Sequence, residues 1–143
     1  MPDSRTIEAL VAALQRGVQV DIIVPGRHID TKITRRASRS QWGPLLEAGA
    51  SIYEYQPTMY HCKVMIIDDC WVSVGSSNFD NRSFRLNDEA NLNAIDPEFA
   101  EEQADVFNVD KKASRQVTLR DWQQRPSREK AVEWLAGLLR SQV

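Results

Sequence analysis

The sequence predicts an α/β fold, with a largely parallel sheet flanked by helices. Three observations predict it. Ile7, Leu10, Val11 and Leu14 fall at i, i+3, i+4 and i+7, one apolar face of a helix. Val18, Val20, Ile22 and Val24 alternate along the next segment, as on a half-buried strand. A second helix and a second strand then repeat the pattern, the rhythm of crossover-connected parallel strands.

Taken in order, Asp3 or Ser4 caps the first helix and Gly17 ends it. The strand after it stops at Pro25-Gly26. "GRHIDTKITRRASRS" is polar and basic and reads as a loop. The second helix carries Trp42, Leu45 and Leu46 and stops at Gly49; "ASIYEYQ" is the next strand. A hairpin follows, with strands over 61–67 and 71–75 joined at Asp68-Asp69. A strand is expected in "EANLNAI" and a helix from about Pro97 to Asn108. The region from about 110 to 143 reads as a helical tail whose Val132, Leu135, Leu138 and Leu139 form an apolar stripe.

The chain has 143 residues, enough for one domain with a core. Its net charge of -2 argues against a protein that coats nucleic acid electrostatically. No apolar run approaches the roughly 20 residues of a membrane span, and the start lacks a signal-peptide pattern. Cys62 and Cys70 form no CxxC pair, so they are read as small buried thiols of a cytoplasmic protein. The four tryptophans, Trp42, Trp71, Trp122 and Trp134, are read as packing.

The chemistry concentrates in "HCKVMIIDDCWVSVGSSNFDNRS". Alternate strand residues share a face, so His61 and Lys63 point one way and Cys62 the other. An imidazole beside a permanent cation suits attack on a phosphate. The neutral ring is the nucleophile and the ammonium holds the phosphoryl oxygens. Gly75 lets the backbone approach a ligand, and Ser76 and Asn78 offer a hydroxyl and an amide to the same oxygens. Glu89 is expected to hold the second imidazole nitrogen and fix its tautomer.

This pattern, His61-x-Lys63-x4-Asp68 followed by Gly75-Ser76-x-Asn78, resembles the HKD motif of the phospholipase D superfamily. "GSSNFDNRSFRLNDEANL", "LVAALQRGVQVDIIVPG", "LLEAGASIYEYQPTMYHCK" and "LRDWQQRP" resemble the bacterial cardiolipin synthase branch in particular. The resemblance implies an αβα sandwich. It also implies that His61 forms a phosphohistidine or serves that step as acid and base, and that Lys63 binds phosphate. Asp68 would support the site from the turn, Ser76 and Asn78 would bind phosphate, and Glu89 would orient the histidine. No metal or other cofactor is implied.

Cardiolipin synthases carry two such motifs in two similar halves and have N-terminal membrane segments; this chain carries one motif. "MPDSRTIEAL" resembles the start of the second half just after its first strand, so the chain is expected to be a C-terminal half lacking that strand. A second histidine is then needed for the leaving alkoxide. His28, the only other histidine, stands in the basic loop without lysine or serine–asparagine partners; its neighbours Arg27, Lys32, Arg35, Arg36 and Arg39 suit an anionic headgroup or simple solvation. A homodimer or the absent half would supply the second motif. The expected substrate is an anionic, phosphatidylglycerol-like phospholipid at a membrane surface, with the parent protein cytoplasmic and membrane-associated. The rival readings are a homodimeric single-motif phosphodiesterase, acting on lipid or on nucleic acid, and an inactive fragment or interaction module. The acidic balance disfavours nucleic acid.

Overall fold

The computed structural model describes residues 4–28, 38–78 and 87–126. The elements run α1 (Ser4–Gln15), β1 (Asp21–Pro25), α2 (Trp42–Glu47), β2 (Ser51–Tyr55), β3 (Val64–Ile67), β4 (Trp71–Gly75), β5 (Asn91–Ile95), α3 (Pro97–Lys112), β6 (Ser114–Val117) and α4 (Leu119–Gln123). The fold is α/β, sheets flanked by helices.

The strands form two three-stranded sheets, ordered β1-β2-β6 and β3-β4-β5. Among the described residues only β1 and β2 pair in parallel; β2–β6, β3–β4 and β4–β5 are antiparallel. The expectation of a largely parallel sheet is corrected here. The strand–helix–strand rhythm produces one parallel pair, after which a tight hairpin reverses the chain and imposes antiparallel neighbours. The expected tail is corrected as well, because residues 114–117 form a strand along β2. The apolar stripe at 132–139 and Trp134 lie outside the described residues.

The core sits on one face of the first sheet. Trp42, Leu45 and Leu46 of α2 pack with Ile52 of β2 and Val117 of β6, and the predicted stripe of α1 leans on this cluster. Gly43 is small because the Trp122 ring of α4 lies where a side chain would be. The Trp122 indole N–H donates to the Arg39 carbonyl at 2.7 Å, while the Arg39 guanidinium stacks over the Trp42 ring. Trp42 and Trp122 therefore do pack. Glu54 of β2 is buried, and Arg115 of β6 donates to it at 2.6 Å. The pair ties the two antiparallel neighbours together.

α3 underlies both sheets, packing against β2 and β6 of one and β3 and β4 of the other. Asp96 caps it, its carboxylate accepting from the Glu98 and Phe99 amides at 3.0 and 3.2 Å, with Pro97 in the first turn where no amide is missed. Its Ala100 and Val72 of β4 are both fully buried. Burying such a valine contributes about 1.5–3 kcal/mol.

Candidate functional site

β3 and β4 form the hairpin that the sequence predicts. Asp68 and Asp69 both have φ +51°, and the Cys70 amide donates to the Ile67 carbonyl at 3.2 Å. Two successive left-handed residues make a turn whose twist matches the strands it joins. Asp68 thus sits at the far end of β3 from His61, about 20 Å away at roughly 3.3 Å per residue. The structure gives it a turn-forming place and does not bring it to the other site residues.

At the near end, the Gly75 amide donates to the Lys63 carbonyl at 3.2 Å, so the ladder extends past Val64 to the motif itself. Val64 and Val74 face α3, as does Val72. His61 and Lys63 have the opposite parity, and both are also among the residues lining the cavity that Val64 and Val74 share with α3. Lys63 is half-buried and His61 exposed. The Lys63 Nζ lies 2.9 Å from His61 Nε2 and 3.2 Å from the His61 carbonyl. An ammonium has only protons to give. A neutral imidazole accepts this contact through the Nε2 lone pair in the tautomer that carries its proton on Nδ1. The pair expected from strand alternation is a direct contact.

Ser76 and Glu89 also meet. The Ser76 hydroxyl donates to Glu89 Oε2 at 2.5 Å and accepts from the Ala90 amide at 3.1 Å, while the Ser76 amide donates to the Ala90 carbonyl at 3.0 Å. Asn87 Nδ2 donates to Glu89 Oε1 at 3.2 Å. Glu89 is therefore engaged with Ser76 and Asn87, where the sequence suggested His61; the described bonds of His61 run to Lys63. Asn78 closes the described part of this segment. Asp80, Asn81 and Arg82 lie outside it, as do Lys32, Arg35 and Arg36.

Gly75 has a steric reason within the fold. A Cβ there would collide with Asn91 Oδ1, the Ala90 carbonyl and Asn91 Cα. The close approach seen here is to Ala90 and Asn91 at the start of β5. Asn91 is a residue that sequence reasoning passed over. Its Oδ1 accepts from the Ser77 amide at 3.2 Å and its Nδ2 donates to Ser73 Oγ at 3.4 Å, so it pins the loop that leaves Gly75. Its place opposite Gly75 in the β4–β5 register was the available signal.

Tyr60 is a second such residue. Its ring lies tilted against Tyr55, centroids 4.8 Å apart, and Asp110 of α3 is the charged group that acts on its hydroxyl. Burial first, then the Asp110 charge, pushes the phenol far above its ordinary value. The hydroxyl therefore remains a proton donor that anchors the lead-in to His61. Beneath the hairpin lies a cavity of about 250 Å³, with Cys62, Val64, Val74, Val106 and Phe107 among its walls. Cys62 is exposed and Cys70 half-buried, both as free thiols, which corrects the expectation of buried ones. His28 is exposed at the end of β1, within 3.3 Å of the Arg27 guanidinium.

An α/β domain that presents an imidazole and an ammonium in contact at the head of a hairpin has the make-up of a phosphoryl-handling protein. The family model described as "Cardiolipin synthase, PLD-like domain" matches residues 1–111, and the chain belongs to that family of phospholipase D-like domains. Among its relatives, the minor cardiolipin synthase ClsB of Bacillus subtilis (strain 168) is 38% identical over 139 residues, which is 97% of this chain and 35% of that protein. Cardiolipin synthase A of Pseudomonas putida (strain GB-1) is 38% identical over 121 residues, 85% of this chain and 25% of that protein. The chain thus spans between a quarter and about a third of the length of these relatives. A phospholipase D family member, Nuc, from Salmonella typhimurium superposes with a TM-score of 0.72 at 26% identity, covering 82% of this chain and 76% of that one. Among the described residues no helix is long and apolar enough to cross a membrane.

Proposed function

We propose that this chain supplies one half of a phosphatidyl-transfer site of the cardiolipin synthase type. The observation that carries the reading is the contact of Lys63 Nζ with His61 Nε2. It marks one spot where an anionic phosphoryl oxygen meets an ammonium while its phosphorus meets a nitrogen lone pair. In the reaction, Nε2 attacks the phosphorus of a phosphatidylglycerol-like lipid. The bond to the departing glycerol breaks, and that alkoxide takes a proton from a second imidazole. The hydroxyl of an acceptor lipid then attacks the phosphohistidine, giving its proton to the same imidazole, and His61 is regenerated.

Each residue has a separate part. Lys63 and Asn78 hold the phosphoryl oxygens. Ser76 directs its proton to Glu89, so the two carry the loop that presents Asn78, and Gly75 lets that loop close against β5. Asp68 keeps the hairpin in register. The second imidazole comes from another copy of the motif, in a partner subunit or in a further half of the polypeptide, and the reaction takes place at a membrane surface.

The test is a base-quenched intact-mass measurement on the chain mixed with phosphatidylglycerol vesicles, at concentrations where two copies meet. A phosphatidyl adduct is expected on the native chain, absent from His61→Ala and reduced about a hundredfold in Lys63→Met. Equal adduct in native and His61→Ala protein refutes the assignment.

A further inference from the structure

β4 and β5 run antiparallel with Gly75 opposite Asn91. The Asp96 amide donates to the Cys70 carbonyl at 2.9 Å, and the Ser76 amide donates to the Ala90 carbonyl at 3.0 Å. In an antiparallel ladder, bonded pairs alternate with non-bonded ones. Cys70, Val72, Val74 and Ser76 therefore stand in bonded pairs, and Gly75–Asn91 is a non-bonded pair, the kind in which Cα atoms come closest. Gly75 accordingly turns its amide the other way, to the Lys63 carbonyl.

The ladder changes character just beyond. A regular ladder would offer the Ala90 amide to the Ser76 carbonyl; it goes to the Ser76 hydroxyl at 3.1 Å. By parity the Ser77 amide belongs on the β3 side with that of Gly75. It donates instead to Asn91 Oδ1 at 3.2 Å. Asn91 Nδ2 meanwhile donates to Ser73 Oγ at 3.4 Å. Ser73, Gly75 and Ser77 share a face by alternation. The Asn91 carboxamide runs along that face, with Oδ1 in the space that a Gly75 side chain would take. One end of the carboxamide is thus held on the strand and the other on the first residue out of register. Asn78 is the next residue along.

We propose that Asn91 is a positioning residue of the phosphoryl site: through Ser77 it sets where the chain leaves β4 and how far Asn78 reaches. The inference rests on the role given above to Asn78. A carboxamide suits the task because it accepts at one end and donates at the other. It also bridges the two serines without setting a second negative charge beside Glu89, where a phosphate arrives.

The test follows the rate of phosphatidyl adduct formation on the chain at saturating phosphatidylglycerol vesicles, in native protein, Asn91→Ala, Asn78→Ala and the double variant. Asn91→Ala is expected to form adduct about ten- to a hundredfold more slowly, the effect of a small misplacement at a reacting centre. In the Asn78→Ala background the same change should have less than about a twofold effect, because a residue that acts through Asn78 has nothing left to place. Losses that multiply would mark a general weakening of the fold and overturn the inference. So would an Asn91→Ala rate within about twofold of native, or an Asn78→Ala rate equal to native. Asn91→Ser, whose hydroxyl is too short to bridge Ser73 and Ser77, is held to the same criteria, so a poorly folding alanine variant does not decide the outcome. A His61-dependent adduct that Asn91→Ala leaves unchanged refutes this inference alone. Absence of any His61-dependent adduct on the native chain refutes the phosphatidyl-transfer reading, and this inference with it.

Discussion

Replacing Gly75 by alanine should destabilise the chain through its backbone, and the size of the effect follows from what the new methyl meets. Three atoms stand in its way, and only Asn91 Oδ1 belongs to a side chain that can rotate; the Ala90 carbonyl and Asn91 Cα are main chain. Relief thus requires β5 to lift from β4 at this point. Overpacking of this kind costs about 1–3 kcal/mol. Lifting also stretches the 3.0 Å bond from the Ser76 amide to the Ala90 carbonyl, and the 3.1 Å bond from the Ala90 amide to Ser76 Oγ. Each contributes about 1 kcal/mol. With both bonds lost, a loss of about 3–5 kcal/mol is expected in urea-monitored unfolding, as a lower midpoint with an unchanged slope. The companion variant Gly75→Ala/Asn91→Ala removes the rotatable obstacle and leaves the backbone ones, so it should not recover the loss. A change below about 0.5 kcal/mol for Gly75→Ala, or full recovery in the double variant, would refute the reasoning.

Two more outcomes follow from local geometry. Asp69 holds φ +51° without glycine's freedom, so Asp69→Gly should raise stability by up to about 1 kcal/mol, seen as a higher urea midpoint; a fall would show that the turn depends on the carboxylate. In α4, Asp121 and Thr118 form a reciprocal cap, and the Thr118 hydroxyl first, then its amide, holds the Asp121 carboxyl below its ordinary value. A depressed carboxyl stabilises the folded state above its unfolded pKa, about 3.9, and loses that contribution as pH falls through the lower folded value. The Thr118 amide shift in NMR should thus titrate below that of an ordinary aspartate, and Asp121→Asn should abolish the step. A midpoint at or above the ordinary value contradicts the cap.

The fold and the site were legible in the sequence to different depths. Period and punctuation located α1, α2, both arms of the hairpin, and α3 with its start at about Pro97, because those signals are local. Strand direction was not local. Whether β2 gains a parallel or an antiparallel neighbour depends on Ser114–Val117, a polar stretch whose strand character comes from pairing with β2 rather than from its own composition. In the site, two-residue spacing was enough to bring His61 to Lys63, since a strand allows nothing else. Glu89 lies 13 residues from Ser76, and its partner was decided by the β4–β5 register. The close approach of Ala90 and Asn91 to Gly75 likewise depends on the β4–β5 register. Asn91 and Asp110 were missed because each acts across a tertiary contact that no spacing encodes.

The hydrogen bond between Lys63 and His61 bears on how the proposed site would meet its substrate. If His61 is the nucleophile proposed above, its lone pair is capped by the cation proposed to receive substrate. Arrival of a phosphodiester is accordingly an exchange of partners: the ammonium turns from nitrogen to oxygen, and the nitrogen is uncovered at the moment the phosphorus comes within reach. A neutral electrophile brings no charge to draw the lysine away and finds the imidazole still covered. On the proposed function, selectivity for an anion thereby belongs to this contact, ahead of any step of the chemistry.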